Sequence, residues 1–138
     1  MRSQGGVVLD ASAAVTWVLR DGTPEDEAQI DELVSTGFVL VPELWHFEMA
    51  NAFRSAMRVG RIDEEFVVGV CEQLDQLDIR TDVVGIDIQR LALEAHARDL
   101  TAYDTSYLLL AKDRGLALAT LDRPLVKAAT AAGVTLAL

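Results

Sequence analysis

The chain is short of the residues that staple or punctuate small proteins: one cysteine, Cys71, two histidines and three prolines in 138 residues. A lone cysteine makes no intramolecular disulfide and has no Cys partner for a zinc cluster, so a reducing compartment is the simplest expectation. With nine glycines beside those prolines, and 51% hydrophobic residues, a collagen-like, low-complexity or disordered chain is excluded. Basic residues are scarce as well, 12 Lys and Arg against 22 Asp and Glu, for a net charge of −10. That balance excludes a protein that coats nucleic acid by neutralising phosphates, though not an enzyme that meets phosphates through metal ions. No run of about 18 apolar residues is present, so no membrane span or membrane partner is expected. The opening MRSQGGVVLD lacks the apolar stretch of a signal peptide. The expectation is a cytoplasmic protein with one domain over residues 1–138, large enough to bury roughly 70% of the surface of its unfolded chain.

The acids are unevenly placed. Asp21 to Glu32 and Asp63 to Asp78 hold six each, which assigns much of the charge to solvated helix faces. Between such stretches, short β-branched runs alternate with helical patterns. Val7–Leu9, Phe38–Val41, Ile79–Thr81 (weakly), Leu116–Ala119 and Val134–Leu136 read as strands. Helices are predicted over Ala11–Leu19 (stopped by Asp21-Gly22), from Thr23 as N-cap to about Ser35, Glu43–Arg58, from Asp63 to Leu74, Ile86–Arg98, Tyr103–Arg114 and Arg123–Ala132. Alternation of this kind predicts an α/β fold, a parallel sheet covered on both faces, with ligands bound at the carboxyl ends of its strands.

Two acids stand where that rule asks for them. Asp10 closes the first strand in VVLD, and Asp122 follows the strand of LALATLD. Asp104 lies in the first turn of the helix AYDTSYLLLA, where the dipole favours a carboxylate. Glu48 lies inside the mainly apolar helix LWHFEMANAF, sharing a face with Asn51. Each acid also has a purely structural reading: an N-cap for Asp10 or Asp122, a dipole partner for Asp104, a distant arginine pair for Glu48. If the four converge, carboxylates about 4 Å apart repel by roughly 4 kcal/mol at an effective dielectric near 20. A cluster of that kind takes up protons or binds a hard cation, and all-oxygen ligation suits Mg²⁺ or Mn²⁺ and metal-assisted phosphoryl transfer to water.

VVLDASAAVTWVL, PELWHFEMANAFR and LTAYDTSYLLLAKDRGLALATLDRPLVKAA, in this order and spacing, resemble the PIN-domain ribonucleases, and within them the VapC-type toxins of toxin–antitoxin pairs. The similarity runs from about Val7 to Leu138. It implies a three-layer α/β/α sandwich with a central parallel sheet and a Mg²⁺- or Mn²⁺-dependent endoribonuclease acting on RNA such as tRNA or rRNA. It implies an acidic catalytic and metal-binding set of Asp10, Glu48, Asp104 and Asp122, with Ser12, Asn51 and Thr120 orienting carboxylates or waters. A homodimer and a small VapB-like antitoxin, whose tail threads a groove, are implied too.

Other features have plainer alternatives. Arg54, Arg58 and Arg61 form a candidate RNA-contacting stripe after Glu48, or else a solvated helix end. His46 and His96 lack metal-ligand spacing and read as structural or surface residues. Cys71 sits on the stripe Phe66, Val67, Val70, Leu74 and is expected in the core, while Trp17 and Trp45 are expected in the core or a dimer interface. A phosphatase of the haloacid-dehalogenase type also puts an Asp after its first strand, but wants a second Asp where Ser12 stands. A response-regulator receiver wants an acidic pair that Asp10 has no neighbour to form. A non-catalytic α/β binding module is the remaining alternative.

Overall fold

The computed structural model describes residues 5–83 and 85–138. The chain runs β1 (Gly6–Leu9), α1 (Ala11–Val18), α2 (Pro24–Thr36), β2 (Phe38–Pro42), α3 (Glu43–Arg58), α4 (Glu64–Asp75), β3 (Ile79–Asp82), α5 (Ile88–Arg98), α6 (Ala102–Arg114), β4 (Ala117–Ala119) and α7 (Arg123–Ala132). The four strands form one parallel sheet in the order β3-β2-β1-β4. The alternating pattern and the parallel sheet expected from the sequence are both present.

Strand order fixes where the layers lie. The chain steps from β1 to β2 to β3 in one direction, then returns past β1 to place β4 on its other side. Right-handed crossovers put helices of opposite steps on opposite faces. The packing agrees: α1 lies against α2 and α3, whereas α6 lies against α5 and α7 and across β1, β2 and β4. Between these layers β1 and β2 are apolar throughout their buried positions, with Val7, Val8, Leu9, Val39, Leu40 and Val41 nearly solvent-free. A strand covered on both faces reads as a continuous apolar run rather than an alternation. The reversal of direction falls between β1 and β4, and a doubly wound sheet opens a crevice at the carboxyl ends of two such strands.

Several boundaries follow local chemistry visible in the sequence. Thr23 caps α2 through the Asp26 amide with Pro24 in the first helical position, and Asp63 caps α4 through the Phe66 amide. Other expectations are corrected. The first helix ends at Val18, one residue short of the expectation, and Arg20 takes the left-handed backbone conformation of the turn (φ 56°). The last strand shrinks to a single parallel bridge, Leu118 to Leu136, because Val134–Leu136 lies at the outer edge of the sheet beside the short β4. Cys71 is exposed and not in the core. The helix that carries it, α4, buries only Val70, so its apolar stripe exceeds the surface available to cover it.

Candidate active site

Asp10 follows β1 directly and caps α1, its carboxylate accepting the Ala13 N–H at 2.9 Å. Ser12 Oγ donates to the same carboxylate at 2.9 Å, and Thr120 Oγ1 donates to its other oxygen at 2.6 Å. Thr120 arrives from the end of β4, which the Asp10 N–H to Ala119 carbonyl bond, 3.1 Å, holds alongside β1. Both side chains are almost without solvent contact, Asp10 at 2% exposure and Thr120 at 3%. Burial is the largest influence on Asp10 and pushes its carboxyl up to about 6, against the three donors and with the help of the Asp104 charge.

Asp122 caps α7 by accepting the Leu125 N–H at 3.1 Å, and its own amide donates to Thr120 Oγ1 at 3.1 Å. One threonine therefore ties together the two strand-end acids. Asp104 is the third residue of α6, its amide bonded to the capping Thr101 hydroxyl at 3.1 Å. Its carboxyl is raised first by burial and then by the charges of Asp122 and Glu48. Glu48, half-buried on α3, accepts a hydrogen bond from the Tyr107 hydroxyl. Asp104 is thus in electrostatic reach of all three of the other acids. The structural readings and the convergent one coexist, since Asp10 and Asp122 are N-caps that also face the cluster. Only the arginine partner for Glu48 is not found among the described residues, where the Tyr107 phenol donates to it instead.

Among the described residues none of these four acids pairs with Lys, Arg or His; every ion pair uses other carboxylates. Nor do any three acids, histidines or cysteines there form a ready-made cage for an ion. Donors of this kind suit a hard cation that keeps several waters and takes the rest of its shell from a substrate. Three carboxylates that each repel Asp104, with neutral donors around them and no counter-charge among the described residues, fit such a cation.

The other predicted residues are placed as follows. Ser12 is exposed yet bonded to Asp10. Asn51 is exposed one turn beyond Glu48 and takes no part in the hydrogen bonds of the acids. Arg54 and Arg58 are exposed on α3, whereas Arg61 is held by Asp21 at 2.6 Å. His46 bonds Thr81 at 2.8 Å and His96 lies exposed on α5, both away from the acids' hydrogen bonds. Trp45 is buried, and the partly exposed Trp17 donates its indole N–H to Asp31 at 2.6 Å. Tyr107 was not anticipated. Its position three residues after Asp104, on the same helical face, was the available signal. Two cavities of about 340 and 490 Å³ lie elsewhere, one between α3, α5 and α6 and the other between α3 and α4, and none of the four acids lines either. Asp10 is buried and Glu48, Asp104 and Asp122 are half-buried at the carboxyl ends of β1 and β4.

A family model for the PIN domain matches residues 7–131. Over 119 residues the chain is 32% identical to the VapC ribonuclease Mb0985 of Mycobacterium bovis and to Ribonuclease VapC9 of Mycobacterium tuberculosis, covering 84% of this chain and 85% of each relative. The crystal structure of PAE2754 from Pyrobaculum aerophilum shares the fold, with a TM-score of 0.67 at 22% identity over 91% of this chain and 87% of that one. A parallel sheet with acids gathered at its switch point, matched along most of its length by this model, defines a PIN-domain protein: the chain belongs to the PIN family. Within that family it is of the VapC type.

Proposed function

We propose that this protein is an endoribonuclease toxin that uses Mg²⁺ or Mn²⁺ to hydrolyse RNA phosphodiester bonds and is neutralised by a VapB-like antitoxin. The observation that carries this reading is the meeting of Asp10, Glu48, Asp104 and Asp122, from four different elements, with no cationic partner among the described residues. The ribonuclease names of its relatives support the reaction class. These four acids would hold the ion, which when bound supplies a water of lowered pKa and offsets charge on the phosphate.

The chain's own residues do the rest. Thr120, Ser12 and the Ala13 amide fix both oxygens of Asp10, so that the buried carboxylate has one orientation. The Asp122 carboxylate is fixed by the amide of Leu125 in the same way. Arg54 and Arg58, exposed on the helix that bears Glu48, are placed in this reading against flanking RNA phosphates. Arg61 contributes less because Asp21 already occupies it. Self-association belongs to the same reading, supported by the exposed apolar side chains Val83, Ile86, Ile88 and Leu93 around α5.

The phosphatase alternative loses ground at Ser12, whose hydroxyl is bonded to Asp10 where a second acid would be needed. Incubation of structured RNA with the purified protein in Mn²⁺, then in EDTA, tests the reading. Cleavage should require the ion and should fall at least about 100-fold in Asp104→Asn. Undiminished cleavage in EDTA or in that variant would overturn it.

A further inference from the structure

Tyr107 has no role in the mechanism above, yet its position is unusual. It is 1% exposed, packed in the core of α6, and its only polar atom reaches across to another helix to donate to Glu48 Oε1. A buried phenol needs a partner, but a partner could have been a backbone carbonyl. Here it is one of the four acids. Burial and the Glu48 charge both hold the phenol in its protonated, donating form. The Ala11 amide acts on the phenol in the opposite direction and less strongly. Ala11 is the residue after Asp10, and Tyr107 itself is one helical turn after Asp104. A single hydroxyl therefore sits where the elements bearing Asp10, Glu48 and Asp104 come together.

Glu48 needs such an anchor more than the other acids do. Asp10 and Asp122 are locked by the amides of the helices they cap, and Asp104 has a short side chain in a capped first turn. Glu48 is longer, lies mid-helix and feels the Asp104 charge. Repulsion and rotamer freedom both favour its swinging out to water. A neutral donor on Oε1 opposes that swing without removing the charge.

We infer that Tyr107 is a positioning residue, its hydroxyl holding the Glu48 carboxylate at the acidic edge beside Asp104 and thereby setting the affinity of that edge for a divalent cation. This rests on the metal-dependent reading proposed above. The test is Mn²⁺ binding by calorimetry at neutral pH, with thermal unfolding, for the full chain as wild type, Tyr107→Phe, Glu48→Gln and the double variant. Partners that orient metal-bound carboxylates typically change affinity 10–100-fold. Tyr107→Phe should weaken Mn²⁺ binding about tenfold or more in the wild-type background and less than about twofold in the Glu48→Gln background, where there is no charge to hold. A crystal structure of Tyr107→Phe should show Glu48 turned away from Asp104. Equal Mn²⁺ affinity of Tyr107→Phe and wild type, or Glu48 unmoved in that crystal structure, overturns the inference alone. So does equal weakening in both backgrounds, because a purely structural tyrosine would act without regard to Glu48. A wild type that binds no Mn²⁺ overturns the metal-dependent reading and this inference together.

Discussion

Asp10 is a carboxylate buried behind neutral donors, and burial raises its pKa. Its folded pKa of about 6 lies above the ordinary 3.8. The folded state therefore holds a proton that the unfolded chain has already released between those values. The stability linked to Asp10 is complete below about pH 4 and is lost as the pH rises through 6, by about 3 kcal/mol for a displacement of this size. Asp10→Asn keeps an oxygen for the Ala13 amide and removes the charge. Urea unfolding in EDTA should find the variant more stable than wild type at pH 7, with the difference vanishing near pH 4. A constant difference across that range would contradict the burial argument. At this scale Asp10, Asp104 and Asp122 were legible in the sequence because each stands at a strand end or a helix start, where local pattern fixes direction. Thr120 and Ser12 became legible through the family pattern around those acids. Tyr107 was not legible, since its partner Glu48 is 59 residues away and only the folded chain brings the hydroxyl on α6 to the carboxylate on α3.

At the scale of elements, capping chemistry set most of the boundaries. Asp10, Thr23, Asp63, Thr101 and Asp122 each accept from an amide in the first turn that follows. Those signals are local, and the helices after them begin within a few residues of where the sequence places them. What failed depended on neighbours. The stripe of α4 correctly marks a helix, but periodicity says nothing about how much of that helix a partner covers, and Cys71 was misplaced for that reason. The terminal strand had β-branched composition but only one bridge's worth of pairing to make. Gly37, between α2 and β2, shows an element-level constraint of another kind. A Cβ there would stand 1.9 Å from the Gly5 carbonyl oxygen, a backbone atom and not the end of a flexible side chain. Gly37→Ala should lower the unfolding free energy by about 2 kcal/mol, seen as a lower urea midpoint with unchanged slope. An unchanged midpoint would mean that the segments entering β1 and β2 do not approach so tightly.

For the whole molecule, the strand order explains why acids so far apart in sequence meet. Reversing the winding between β1 and β4 places Asp10 beside Thr120 and Asp122, and the helices that follow β2 and precede β4 bring Glu48 and Asp104 to the same edge. The net charge of −10 does not argue against RNA as substrate, because most of it sits on the exposed stretches Asp21–Glu32 and Asp63–Asp78, which contain none of the four acids. In the proposed reading, affinity for RNA would rest on a bound cation and a few exposed arginines, not on a basic surface. The most direct measurement is an anomalous-difference map from crystals soaked in Mn²⁺. The account predicts a peak within coordination distance of Asp10 and at least one of Glu48, Asp104 and Asp122, lost in Asp104→Asn crystals. A clean map over these carboxylates at saturating Mn²⁺, or a peak that survives that substitution unchanged, would contradict it.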